Sequence, residues 1–169
     1  GASVHMSVRE GTEVVYVSRL AAQAALSSNI RVGSRLPAHA STMGRALLQD
    51  LDDEDLFELY RGTRELAPFS PDTPPTVVAL RDLLLKDARN DGVVVSRGYY
   101  EKGVVSVAAP IRDGSDRVVA AVNITASADK FADDALNRTV KDEVLSCAAR
   151  ISTAIGHDRD SHKPHAGIQ

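Results

Sequence analysis

Residues 104–125, "VVSVAAPIRDGSDRVVAAVNIT", constrain the fold more than any other stretch. Two apolar, β-branched runs flank Asp113-Gly114-Ser115-Asp116, and a tight turn with Gly114-Ser115 at its tip makes them a hairpin. That turn sets Ser106 opposite Asn123, Ala108 opposite Ala121 and Val104 opposite Thr125. Strand alternation gathers these six side chains on one face. Val105, Val107, Ala109, Ile111, Val118, Ala120, Val122 and Ile124 fall on the other. That second face is wholly apolar and must be covered, by the long C-terminal helix and a partner. Each large side chain buried there contributes about 2 kcal/mol.

The first face is small and polar at its centre. Ala108 and Ala121 leave room, while Ser106, Asn123 and Thr125 supply donors and acceptors. Two readings stand: a preformed small-molecule site, or the solvated side of an antiparallel sheet. Solvated faces normally carry Lys, Glu, Arg and Gln, and none occupies these central positions.

Upstream, "RLPAHASTMGRALLQDL" (35–51) passes from an extended, proline-fixed segment into a helix from Thr42 to Leu51. Met43, Ala46, Leu47 and Leu48 lie on or near its inner face. Ser41 or Thr42 is placed to cap it. A helix start also presents unpaired N–H groups suited to an anion. Residues 13–20 read as a strand paired with 3–8 across Arg9–Thr12. A short helix follows Asp52 or Asp53, and "APFSPDTPP" is a loop. A helix then runs from Thr73 or Thr76 to about Asn90, with Val77, Leu80, Leu84 and Ala88 at helical spacing. After a strand at 93–97 and the hairpin, Leu136, Val140, Val144, Ala148, Ile151 and Ile155 mark a long helix from near Asp133 to Gly156.

The chain has 169 residues and a net charge of −3, with one cysteine, Cys147. No basic face grips a nucleic acid, so any DNA contact belongs to another part of the molecule. An intrachain disulfide is excluded, and no apolar run approaches a membrane span. The start lacks a signal peptide and an initiating Met, and reads as a piece of a longer protein behind a cloning remnant. The tail histidines His157, His162 and His165 match no strong metal-ligand spacing. Neither a G-x-S-x-G elbow nor a nucleophile–base pair is evident.

The segment "VGSRLPAHASTMGRALLQDL", the hairpin and the terminal helix, in that order, resemble the effector-binding domain of IclR-family transcription regulators over residues 8–156. The form "RLPAH-STMGR" is most similar to the branch that includes the protocatechuate and 4-hydroxybenzoate regulators. The resemblance implies a GAF-like α/β (α+β) domain with a central antiparallel sheet, helices on one face and a ligand pocket on the other. Residues 1–7 are then a remnant or the first strand, and 157–169 a flexible polar tail. It further implies a small organic acid effector, a homodimer or homotetramer, and a cytoplasmic setting without membrane contact, cofactor or metal. DNA is touched only through a winged helix-turn-helix domain that this chain does not contain.

Ligand positions carried over from the resemblance fall on Thr42 and Met43 with the adjacent Gly44, on Ser96, on Ser106, and on Asn123 and Thr125. One branch has an acidic residue where this chain has Ser96. His39, Tyr99, Tyr100 and Glu101 stand at the pocket rim, His39 either as a ligand contact or as a structural histidine. Arg35 is an anion anchor or a solvated charge. Two competing functions remain. One is an oligomerisation module without a ligand. The other is a GAF-like enzyme, whose familiar redox version needs several cysteines.

Overall fold

The computed structural model describes residues 2–21, 30–98, 102–131 and 134–158. Alternating polar and apolar residues at the N-terminus form β1 (Ser3–Glu10), which turns through Gly11-Thr12 into β2 (Glu13–Ala21). The proline-fixed piece is β3 (Arg35–Pro37), and β4 (Val94–Arg97), β5 (Val104–Arg112) and β6 (Val118–Ser127) complete one antiparallel sheet. Its order is β3-β2-β1-β6-β5-β4. β1 therefore lies at the centre, and residues 3–7 run antiparallel along 121–125 of β6.

The hairpin keeps the expected faces but not the expected partners. Ser106 pairs with Thr125 and Ala108 with Asn123, a shift of two residues. Asp113 accepts from the Asp116 N–H at 3.0 Å and Asp116 takes φ +62°, so the loop is three residues long rather than two. An irregularity at Ile111/Arg112 adds the rest of the shift. A shift of two preserves alternation, so Ser106, Ala108, Ala121, Asn123 and Thr125 still share one face. Val118, beyond the bulge, leaves the apolar face and packs with the opposite core.

Each face of the sheet carries its own core. The outer face, with Val105, Val107, Ala109, Ile111 and Val122, packs against α4 (Asp134–Ala154) through Val144 and Ala148. Val140 and Ile151 flank this contact, whereas Ile155 is exposed beyond the helix end. The inner face is covered by α1 (Thr42–Leu48), α2 (Asp53–Leu59) and α3 (Val77–Ala88). Ser41, Asp52 and Thr76 cap these helices with side-chain oxygens, on the Gly44, Asp55 and Ala79 N–H groups respectively. Among the described residues, no helix is long and apolar enough to cross a membrane.

Every residue of α1 is buried, so it is not the amphipathic helix its spacing predicts, and it ends at Leu48. Two contacts make that position possible. A Cβ on Gly44 would lie 2.1 Å from the Ala38 carbonyl oxygen, so only glycine lets the helix rest on the 3-10 turn Ala38–Ala40. Arg45 is neutralised by Asp87 of α3, its Nε donating to Oδ2 at 2.9 Å and Nη2 to Oδ1 at 3.0 Å. Nη2 also reaches the Val95 carbonyl at 3.4 Å, tying both helices to β4 at the sheet edge. Asp87 thus takes the inward position in α3, and Ala88, expected there, faces out.

Gly44→Ala is expected to lower unfolding stability by about 2–3 kcal/mol, because backbone rather than a flexible side chain must give way. Urea unfolding of the two proteins measures it, and a loss within ±0.5 kcal/mol would show that α1 tolerates displacement.

Candidate functional site

The centre of the inner face is built from short polar side chains on four neighbouring strands. Ser3, His5 and Ser7 alternate along β1, beside Asn123 and Thr125 of β6, Ser106 of β5 and Ser96 of β4. Strand pairing alone sets His5 next to Asn123, Ser3 next to Thr125, and Ser106 between Thr125 and Ser96. Asn123 is the hub of this row. Its Nδ2 donates to Ser106 Oγ at 2.9 Å and to Thr125 Oγ1 at 3.0 Å. Thr125 Oγ1 donates to Ser106 Oγ at 3.1 Å, and Asn123 Oδ1 lies 3.0 Å from His5 Nδ1. At the far end, Thr42 at the start of α1 hydrogen-bonds Ser96 through the two hydroxyls.

Five of the seven expected ligand positions meet in this arrangement. Ser96, Ser106, Asn123 and Thr125 form its floor, and Thr42 reaches it from α1. Met43 instead lies in the core among the helices, fully buried. Gly44 packs against Ala38, and its N–H is taken by the capping Ser41 Oγ at 3.0 Å. His39 is buried beneath the loop, its Nε2 donating to the Ala67 carbonyl at 3.0 Å. Its ring meets Tyr60 at 6.4 Å and Phe69 at 6.0 Å between centroids. Burial pushes the Tyr60 phenol up to about 12, so it stays protonated. Arg35 is occupied by Glu13 and Glu10 on the exposed sheet edge, away from the row. Tyr99, Tyr100 and Glu101 lie outside the described residues.

Near the start of β5, two residues from Ser106, a cleft of about 580 Å³ opens between the Phe69–Asp72 loop and Lys102, Gly103 and Val104. Its wall carries two cations, Arg97 and Lys102, against one carboxylate, Asp72. A cleft of this size suits a small metabolite.

The sequence reading missed the contribution of β1 and β2. The signal was present in "SVHMSV", where Ser3, His5 and Ser7 interrupt an apolar strand at period two. What it lacked was the neighbour, since nothing local shows that β1 pairs with β6. An irregularity between Met6 and Ser7 leaves Val17 without a partner in the register. That insertion turns both Tyr16 and Arg19 toward the inner face, Arg19 beside His5. Desolvation holds the His5 imidazole below its ordinary value of 6.5; the Asn123 bond opposes this and the Arg19 charge reinforces it. His5 is therefore neutral near pH 7.

Residues 1–153 match the family described as bacterial transcriptional regulator IclR, C-terminal. The HTH-type transcriptional repressor AllR of Escherichia coli K12 is 34% identical over 159 residues, covering 92% of this chain and 56% of AllR. The HTH-type transcriptional regulator XynR of the same strain is 27% identical over 159 residues, covering 93% of this chain and 61% of XynR. The chain thus spans somewhat over half the length of these relatives. The crystal structure of the Thermotoga maritima IclR superposes with a TM-score of 0.83 at 27% identity, over 93% of this chain and 62% of that one. These relatives are transcriptional regulators, not enzymes, and the Thermotoga maritima structure shares the mixed α/β fold with its C-terminal helix.

The lowered His5 pKa carries a sign. The unfolded chain takes up the His5 proton first as pH falls through about 6.5, so that contribution to stability is lost toward the lower folded value. In urea unfolding, the stability advantage of the wild type over His5→Asn is expected to shrink between pH 7.5 and pH 5. A difference independent of pH would contradict a buried, neutral His5.

Proposed function

As the chain belongs to the IclR family of bacterial transcriptional regulators and carries its C-terminal effector-binding domain, we propose that it senses a small carboxylated metabolite on the inner face of the sheet. The observation that carries this reading is the hydrogen-bonded row centred on Asn123, 3% exposed in a part of the inner face where the sheet supplies serines and threonines instead of a hydrophobic core. Buried polar groups at this density specify a ligand's orientation. Ser96, Ser106, Asn123 and Thr125 provide the floor, and Thr42 closes it from α1. Arg19 and the cations of the neighbouring cleft favour a carboxylate. Phe69, at the cleft wall, offers a ring to an aromatic acid, which supports the aromatic-acid branch that the "RLPAH-STMGR" form resembles.

Occupancy would act on DNA through a separate domain of the regulator, and only to the extent that the effector binds one state of the protein more tightly than another. Assembly into a homodimer or homotetramer is part of the same reading. It is supported by exposed apolar residues at the β2 end of the sheet, where Leu20 and Val32 are 72% and 63% exposed.

A thermal-shift screen against protocatechuate, 4-hydroxybenzoate, muconates, adipate, pyruvate and glyoxylate tests the proposal. An acid at 100 times its dissociation constant adds about 2.7 kcal/mol, or roughly 5–10 °C for a chain of this size. Ser106→Leu and Asn123→Leu are each expected to abolish the shift while retaining wild-type circular dichroism. The absence of any shift with a folded sample would favour an assembly module without a ligand.

A further inference from the structure

The row leaves buried polar groups unanswered, and the chemistry of one of them, His5 Nε2, is fixed by its neighbours. Four contacts link His5, Asn123, Ser106 and Thr125. Each serine or threonine hydroxyl has one hydrogen, and the amide nitrogen has two. With Asn123 Nδ2 toward the hydroxyls, it donates to both, Thr125 donates to Ser106, and every contact contains a hydrogen. With the amide reversed, both hydroxyl hydrogens go to Oδ1 and the Thr125–Ser106 contact at 3.1 Å contains none. The first arrangement is therefore the stable one, and Oδ1 faces His5. Nδ1 must then carry the imidazole hydrogen, donated to Asn123 at 3.0 Å. Nε2 is left as a bare acceptor.

His5 is 3% exposed, and its Nε2 has no hydrogen-bond partner. Ser7 Oγ, two residues along on the same face, is likewise buried without one, as is Nε of the adjacent Arg19. The adjacent strands β1 and β2 place three such atoms side by side, next to the row that would hold an effector, an arrangement suited to receive polar groups from outside the chain. An acceptor-only nitrogen admits a donor and repels a carboxylate oxygen. Arg19 has the opposite preference.

We propose that His5 Nε2 accepts a hydrogen bond from a hydroxyl of the effector, with the effector's carboxylate turned toward Arg19. The domain then selects hydroxylated acids over the same acids lacking the hydroxyl. This rests on the effector-binding reading above and adds to it a specificity-determining residue and a ligand class.

Matched pairs test it by calorimetric titration of this chain: 4-hydroxybenzoate and 3-hydroxybenzoate against benzoate, glycolate against acetate, lactate against propionate. At least one hydroxylated acid is expected to bind about tenfold or more tightly than its partner. His5→Asn keeps a donor to Asn123 but is too short to place an acceptor where Nε2 lies. In that variant the hydroxylated acid falls to the affinity of its counterpart, whose own affinity changes less than about threefold. Long-range nitrogen–proton spectra of the free wild-type protein are expected to show His5 as the neutral form with hydrogen on Nδ1, a readout that needs neither a variant nor a ligand. Equal binding within every pair would overturn the proposal and leave the effector-binding reading standing. An equal loss for both members in His5→Asn, or a His5 protonated on Nε2, would also overturn it. Failure of every acid to bind would overturn the reading and the proposal together.

Discussion

A carboxamide buried between strands has to find partners for both its hydrogens and its oxygen, and Asn123 finds them on three strands at once. Left unpaired, each such group costs about 1–3 kcal/mol. The Asn123 contacts with His5 of β1 and with Ser106 of β5 meet that demand across both neighbours of β6. They tie β1 and β5 to β6 at the inner centre of the sheet, alongside the backbone pairing of those strands. The remaining architecture is arranged around this row. The outer face takes a conventional apolar core under α4, and the helices of the inner face pack to one side of the row.

That packing requires α1 to be buried on every side, which is unusual for a helix of seven residues. Gly44 removes the steric obstacle at Ala38, and the Arg45–Asp87 pair removes the electrostatic one. Two distant segments of the chain thereby converge on one place. Thr42, held at the first turn of α1, meets Ser96 of β4 across a separation of 54 residues. The buried pair is better regarded as a device for registration than for stability, because two desolvated charges recover little net free energy. Its value lies in pinning α1 and α3 to β4, and so in placing Thr42.

Much of this was legible in the sequence. Alternation in 104–125 identified the polar face and its members, and a register error of two residues did no harm because alternation has a period of two. Side-chain chemistry narrows two helix starts to Asp52 or Asp53 and to Thr73 or Thr76, and the structure places the caps at Asp52 and Thr76. The rest depended on partners distant in the chain. His5 gains its partner only when β1 lies beside β6, a contact across 118 positions. Nothing local marks Arg45 and Asp87 as inward-facing, and only their contact makes both so. The bulges at Met6/Ser7 and Ile111/Arg112 left no mark in composition, yet one of them turns Arg19 toward the site.

In the proposed complex a small acid lies on the row formed by β1, β4, β5 and β6 and is closed in by α1. Amide chemical-shift mapping reads this out, with the protein saturated by the acid that stabilises it most. Perturbations are expected to concentrate at His5, Thr42, Ser96, Ser106, Asn123 and Thr125, with α4 residues 140–151 unchanged. Perturbations centred on α4 or on the exposed edge near Leu20, with the row silent, would contradict it.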